Sequence, residues 1–239
     1  MTETNYHTIT YGNQKIKFKL ELSQRKSLRI TVTPDLHVTV KAPSDRTLDF
    51  ILEKVKKKAH WIIKQQNFFN SLPPPVPERK YLSGETHMYL GKQYRLKIIE
   101  SAEENVKLKG GYIYINTEEK NNPERIKTLL GNWYLDHARV KFNQRVNLCY
   151  EKIKKYDINT PLRIKIKQMK KRWGSCSKNG TILLNRELIK VPSHCIDYVI
   201  THEMCHLKHY NHNKKFFKLL SRVMPDWQKR KEKLEQIIL

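Results

Sequence analysis

Apolar and polar positions alternate with a period near two along residues 8–42, as in strands that bury one face. Lys15-Ile16-Lys17-Phe18-Lys19-Leu20-Glu21-Leu22 is the clearest stretch. Leu28-Arg29-Ile30-Thr31-Val32 and His37-Val38-Thr39-Val40 follow, with Pro34-Asp35 as the turn between them. Beyond Pro43 the period lengthens. Leu48, Ile51, Leu52, Val55, Ala59, Ile62 and Ile63 recur at helical spacing, which predicts a helix capped by Ser44 or Asp45 and running to about Asn70. The run Leu72-Pro73-Pro74-Pro75-Val76-Pro77 excludes helix and central strand and reads as a stiff extended connector. A second strand-rich stretch, residues 85–116, has its turns at Gly91-Lys92-Gln93 and Gly110-Gly111. Gly12-Asn13-Gln14 and Gly91-Lys92-Gln93 each precede a strand, a local sign of an internal repeat.

Asn122-Pro123-Glu124 opens a helical stretch to about Tyr156, with Pro123 in the first helical position. Leu129, Leu130, Trp133, Tyr134, Ala138, Phe142, Val146 and Tyr150 give it a wide apolar face. Leu162 to Lys167 alternates as a strand, and Thr181-Ile182-Leu183-Leu184 follows the turn Asn179-Gly180 as another. The last third is helical over about 193–209, 213–222 and 225–238.

The densest chemistry lies in Thr201-His202-Glu203-Met204-Cys205-His206-Leu207-Lys208-His209-Tyr210-Asn211-His212. Residues four apart on a helix are separated by about 40° around the axis and about 6 Å along it, so the rings of His202 and His206 can converge on one ion. A third ligand has to come from another direction. His212 meets that need if the helix ends near His209 or Tyr210, with Asn211 suited to a left-handed stop. Three imidazoles leave a fourth position open to solvent, the arrangement of a catalytic rather than a structural zinc site. With Ile196 at 0°, Val199, Ile200 and Leu207 form an apolar stripe, and Asp197, Thr201 and Lys208 cluster at about 100–140° and should face solvent. Glu203 falls between the apolar stripe and the histidines, where a structural helix would carry Leu or Ala. His209, Tyr210 and Arg172 are candidate cleft residues, and Trp173 is expected to anchor the core.

With 239 residues the chain suits one large domain or two small ones. No run approaches the ~20 apolar residues of a membrane helix, and the polar start Met1-Thr2-Glu3-Thr4-Asn5 lacks an export segment. Four cysteines without a C-x-x-C pair point to reduced thiols and a cytoplasmic protein. Charge is the strongest bulk feature: 47 Lys and Arg against 23 acids, a net of +24. Basic groups gather at Arg163, Lys165, Lys167, Lys170, Lys171 and Arg172, and again at Lys214, Lys215, Lys218 and Arg222, so nucleic acid is a candidate partner.

Arg172-Trp173-Gly174-Ser175-Cys176, Leu183-Leu184-Asn185, the segment Tyr198 to Leu207, and Asn211-His212 followed by Phe216-Phe217 together resemble the YgjP-like family of metal-dependent hydrolases, relatives of the SprT-like zinc proteases. The resemblance covers most of the chain, residues 120–220 most specifically. It implies a minimal, gluzincin-like zincin core with Zn2+ on His202, His206 and His212 and Glu203 as catalytic acid and base. Metzincins carry Gly where His209 stands, which speaks against that group.

The expected architecture is α+β: a strand-rich segment with one helix over 1–72, a Pro-rich connector and second strand-rich segment over 73–120, and a zincin-like catalytic domain over 121–239. The expected activity is zinc-dependent hydrolysis of protein or peptide substrates, with no membrane partner. The rival is a basic nucleic-acid- or protein-binding adaptor in which zinc only stabilises the fold.

Overall fold

The period-two pattern of the N-terminal segment becomes β1 (Tyr6–Tyr11), β2 (Gln14–Ser23), β3 (Arg29–Val32) and β4 (Val38–Pro43), joined in the order β1-β2-β4-β3. These elements come from a computed structural model, which describes residues 6–71, 79–161, 163–170 and 172–237. The proline connector, Leu162 and Lys171 lie outside the described residues. The chain divides into two units, Met1–Pro74 and Pro75–Leu239.

In the first unit, Ile16, Phe18, Val38, Val40 and Ala42 point into a core closed by Ile51, Val55, Ala59 and Ile62. Those four come from α1 (Leu48–Lys57) and α2 (Ala59–Asn70). A single helix was expected here. The backbone instead breaks at Lys58 (φ −102°, ψ 3°). The cap is Thr47, whose hydroxyl accepts from the Phe50 N–H, because Ser44 and Asp45 are already committed to the turn after β4.

The second unit opens with β5 (Thr86–Tyr89), β6 (Lys92–Glu100), β7 (Asn105–Lys109) and β8 (Tyr112–Thr117), in the order β5-β6-β8-β7. This is the topology of the first sheet again: a tight hairpin, a parallel pair, and a returning antiparallel strand. The registers match as well. Leu20, Val40 and Ile30 stand side by side across β2, β4 and β3, as Ile98, Ile115 and Val106 do across β6, β8 and β7. Both hairpins have two-residue turns, Gly12-Asn13 and Leu90-Gly91. Gly12 (φ 58°) and Gly91 (φ 80°) supply the positive φ such turns require. The repeat expected from the Gly-containing segments is therefore an architectural one, displaced by one residue from the sequence match.

A 31-residue helix, α3 (Pro123–Ile153), follows, capped by Asn122, which accepts from the Arg125 N–H. A 3-10 turn extends it to Tyr156. Next come β9 (Arg163–Lys167), β10 (Gly174–Cys176) and β11 (Thr181–Asn185), in the order β10-β11-β9. β10 is antiparallel and β9 parallel to β11. The short edge strand β10 was not anticipated; its three residues, Gly-Ser-Cys, carry no alternation. Finally α4 (Ser193–His206), α5 (Lys214–Val223) and α6 (Trp227–Glu235) complete the unit. One hydrophobic core joins Leu96 and Ile113 of the second sheet, Leu130 and Phe142 of α3, Ile182 and Leu184 of β11, and Ile196 and Ile200 of α4. Strands and helices of residues 85–237 thus share a single interior.

The helical wheel of α4 needs one correction. Asp197 and Thr201 do not face solvent: they are 5% and 2% exposed. That face packs on α3, where the Arg145 guanidinium grips the Asp197 carboxylate with two hydrogen bonds. A long helix lying behind α4 removes the solvent face that a two-sided amphipathic helix would keep. Lys208, just beyond the end of α4, is exposed as expected. No helix among the described residues is long and apolar enough to cross a membrane.

Candidate metal centre

α4 runs from Ser193 and ends at His206, so His202 and His206 occupy its last turn and a half. The helix stops three residues earlier than the spacing suggested. Asn211 is not in the left-handed region; the chain leaves through a tightened turn in which Leu207 N–H donates to Met204 O and His209 N–H to Cys205 O. It then reaches His212, directly before Asn213, which caps α5 by accepting from the Phe216 N–H.

This turn brings three rings together. Nε2 of His212 lies 2.9 Å from Nε2 of His202 and 3.1 Å from Nε2 of His206. One ring nitrogen from each residue lies within 4.8 Å of the others, the one such cluster of His, Cys, Asp and Glu groups among the described residues. Tetrahedral ligands at 2.0–2.1 Å from zinc would be about 3.3–3.4 Å apart, within a few tenths of an ångström of the two short separations. The protonation pattern suits ligation. Nδ1 of His206 donates to the His209 carbonyl at 3.1 Å, which leaves its Nε2 as a bare lone pair. Burial, aided by the neighbouring His206 and His212, pushes His202 down to about 3, so its ring is neutral at neutral pH. The three Nε2 atoms converge at separations that one shared cation would bridge. The donor set therefore fits a metal ion, and His202, His206 and His212 are the residues that would hold it.

Phe216 supplies the floor. Fully buried, its ring lies 5.0, 4.6 and 4.8 Å from the rings of His202, His206 and His212. The Asn213 cap fixes the start of α5 and with it the side of α5 that carries Phe216. This role was not visible in the sequence beyond the quoted Phe216-Phe217.

Glu203 is 6% exposed and borders a cavity of about 200 Å³ together with Trp173, Gly174, Tyr198, His202 and Leu234. Burial pushes its carboxyl up to about 7, while the Arg172 guanidinium and the Cys176 backbone amide pull the other way. Edge strand β10 lies against it: a Cβ on Gly174 would stand 2.8 Å from Glu203 Oε1. The loop before β10 is tied down by Asn185. Its Nδ2 donates to the carbonyls of Met169 (2.8 Å) and Arg172 (3.0 Å), and its Oδ1 accepts from the N–H groups of Met169 and Glu187. Every hydrogen-bonding direction of that buried amide is thereby used.

The remaining candidates separate. Arg172 is exposed beside Trp173 on the wall of a neighbouring hollow, close enough to act electrostatically on Glu203. Tyr210 is half exposed, with Lys178 Nζ 5.9 Å from its ring centre. His209 is not part of the three-histidine cluster and lines a separate hollow with Lys208 and Lys215. Trp173 is part-buried at the cavity mouth and packs on the core. The four cysteines form no disulfide, and burial pushes Cys176 up to about 11, which leaves its thiol unreactive.

A family model described as YgjP-like, metallopeptidase domain, matches residues 26–237. The chain belongs to the YgjP-like family. It is accordingly a metal-dependent peptidase, and protein or peptide is its class of substrate. Two solved metallopeptidase zymogens are similar to part of this YgjP-like chain. Pyrococcus abyssi abylysin is 19% identical with a TM-score of 0.35, covering 39% of this chain and 90% of its own. Methanocaldococcus jannaschii jannalysin is 28% identical with a TM-score of 0.36, covering 41% and 91%. No curated protein matches the YgjP-like chain.

Proposed function

We propose that the protein is a zinc peptidase in which His202, His206 and His212 hold the ion and Glu203 is the general base. The observation that carries this is the convergence of three imidazole nitrogens beside a buried carboxylate that has no structural partner of opposite charge at bonding distance among the described residues. Three imidazoles favour zinc over harder divalent ions. When bound, zinc supplies Lewis acidity, which draws electron density from a peptide carbonyl and makes water acidic near neutral pH. Glu203 takes the proton from the attacking water and hands it to the departing amine nitrogen. Gly174 lets β10 approach closely enough to keep that carboxylate shielded from bulk solvent. Phe216 and the His209 carbonyl hold the ligand rings in their orientation.

The catalytic groups all lie within residues 121–239, which we assign as the catalytic domain, with residues 1–72 and 73–120 as preceding segments. Four unpaired thiols favour action in the cytoplasm. The test is Glu203→Gln, followed by elemental analysis and a casein-cleavage assay. Zinc content and melting temperature should stay within error of the parent while turnover falls by about 10²-fold or more. A parent protein that holds stoichiometric zinc yet turns over no better than this variant would return the chain to the adaptor reading.

A further inference from the structure

Behind the metal centre lies a second concave site that the peptidase reading does not use. It is a hollow of about 400 Å³ with three walls. Lys155 comes from the 3-10 turn after α3; Lys208 and His209 from the turn after α4; Lys215, Lys218 and Arg222 from one stripe of α5. The walls are bonded together. Lys208 Nζ donates to the Tyr156 carbonyl at 2.7 Å, and the Tyr156 hydroxyl donates to the Arg222 carbonyl at 3.3 Å. Asp157 is the one carboxylate lining the hollow; it stands 3.6 Å from Lys208 and is almost wholly exposed. Lys215, Lys218 and Arg222 are exposed and make no ion pair among the described residues.

Five cations gather around one weakly engaged carboxylate, and the hydrogen bonds between the walls hold the elements that carry them side by side. Such an arrangement favours a ligand that brings several negative charges at close spacing. On α5 the cations recur at i, i+3 and i+7, about 4.5 and 6 Å apart along the axis, so they form a row rather than a point. A single carboxylate or phosphate would satisfy only part of that row. We propose that this hollow binds consecutive phosphate groups, of the kind carried by a nucleic-acid backbone or by a free polyphosphate. The Arg222 guanidinium suits forked contact with a phosphate and the lysines act as point charges. His209 connects the two sites: it lines the hollow, while its carbonyl accepts a hydrogen bond from His206 Nδ1.

The inference stands apart from the hydrolytic mechanism, because its test leaves all three ligand histidines and Glu203 in place. Zinc-loaded full-length protein is titrated into a fluorescent 12-nucleotide oligo-dT, anisotropy is read at several salt concentrations, and the triple variant Lys215→Ser/Lys218→Ser/Arg222→Ser is compared. A charge-matched control removes three exposed lysines of the second sheet, Lys92, Lys107 and Lys109, in the same manner. Zinc content and melting temperature establish that each variant is folded; the single change Lys218→Glu serves if the triple variant is not. The hollow variant should bind at least tenfold more weakly near 0.1 M salt, and its salt slope should fall by about 2, roughly 0.7 for each lost contact to a single strand. The control should stay within threefold of the parent. Displacement by tripolyphosphate would show that a free polyphosphate suffices, and displacement by unlabelled oligonucleotide alone would assign the site to a nucleic-acid backbone. Equal weakening of both variants, or equal displacement by polyglutamate of the same charge, would overturn the proposal.

Discussion

Gly174 and Glu203 approach so closely that a single methyl group cannot be placed between them: a Cβ on Gly174 would meet Glu203 Oε1 at 2.8 Å, Glu203 Cγ at 2.9 Å and Val199 Cγ1 at 3.0 Å. The backbone there is ordinary extended strand, so contact, rather than φ, demands glycine. Gly174→Ala must therefore move either β10 or the carboxylate. The expected result is a tenfold or greater loss of kcat/KM at unchanged zinc content, since the three histidines lie elsewhere. Steady-state kinetics with elemental analysis of the same sample would check it; parental kinetics would show the contact to be irrelevant.

Asn185 closes the loop that carries Arg172 and Trp173 through four side-chain hydrogen bonds. Asn185→Ala strands two carbonyls and two N–H groups, and a loss of about 2–4 kcal/mol in stability is expected. Asn185→Asp keeps the two accepted bonds and turns the two donated ones into repulsions, so it should fall below the parent in denaturant midpoint. Urea unfolding of the three proteins measures this, and a midpoint for the Asp variant equal to that of the parent would contradict the assignment.

The pair Arg145–Asp197 ties α3 to α4, with Arg230 Nη1 a further 3.8 Å from the same carboxylate. Hydrogen bonding to that carboxylate raises Arg145 above its ordinary value. Asp197→Ala leaves a part-buried guanidinium without its two charged hydrogen bonds, and a cost of about 1–3 kcal/mol is expected. Thermal and urea unfolding should both register it, and the variant should lose metal affinity only in proportion to its folded fraction.

Acid should weaken the second unit through His87. Its side chain is 2% exposed, and burial, aided by the Arg79 charge and opposed by Glu85, pushes it from 6.5 down to about 4. The unfolded chain therefore binds a proton that the folded chain refuses between these values. Stability that is fully present above about pH 6.5 is lost as pH falls towards 4. His87→Phe keeps an aromatic ring beside Tyr81 and removes the proton. The drop in melting temperature between pH 7.5 and pH 5 should be smaller in that variant than in the parent.

Spacing made the convergence of His202 and His206 legible because a helix turns local sequence into fixed geometry and residues four apart lie about one turn apart, while His212 reaches them through the turn after α4. The Asn122-Pro123 start of α3 was equally legible, since both residues act on the backbone beside them. The features that escaped depend on residues distant in sequence. Asp197 reads as solvent-facing until Arg145, 52 residues away, is seen to cover it. Nothing beside Gly174 in the sequence signals its contact with Glu203, 29 residues on. Asn185 looks like the end of a strand, although its amide organises a loop 13–16 residues earlier. The end of α4 was misplaced by three residues because hydrogen bonding in the following turn, rather than an Asn stop, decides it.

The two matched sheets give the chain a natural internal comparison. Each copy makes the same choices at hairpin, parallel pair and returning strand, yet one is followed by a broken pair of short helices and the other by 31 unbroken helical residues. The unbroken helix runs alongside α4 and anchors it through Arg145 and Asp197. The difference between a bare sheet module and the foundation of a hydrolase therefore lies in what the chain does in the first few turns after its fourth strand, and grafting one continuation onto the other copy would be a direct way to ask how that foundation arose.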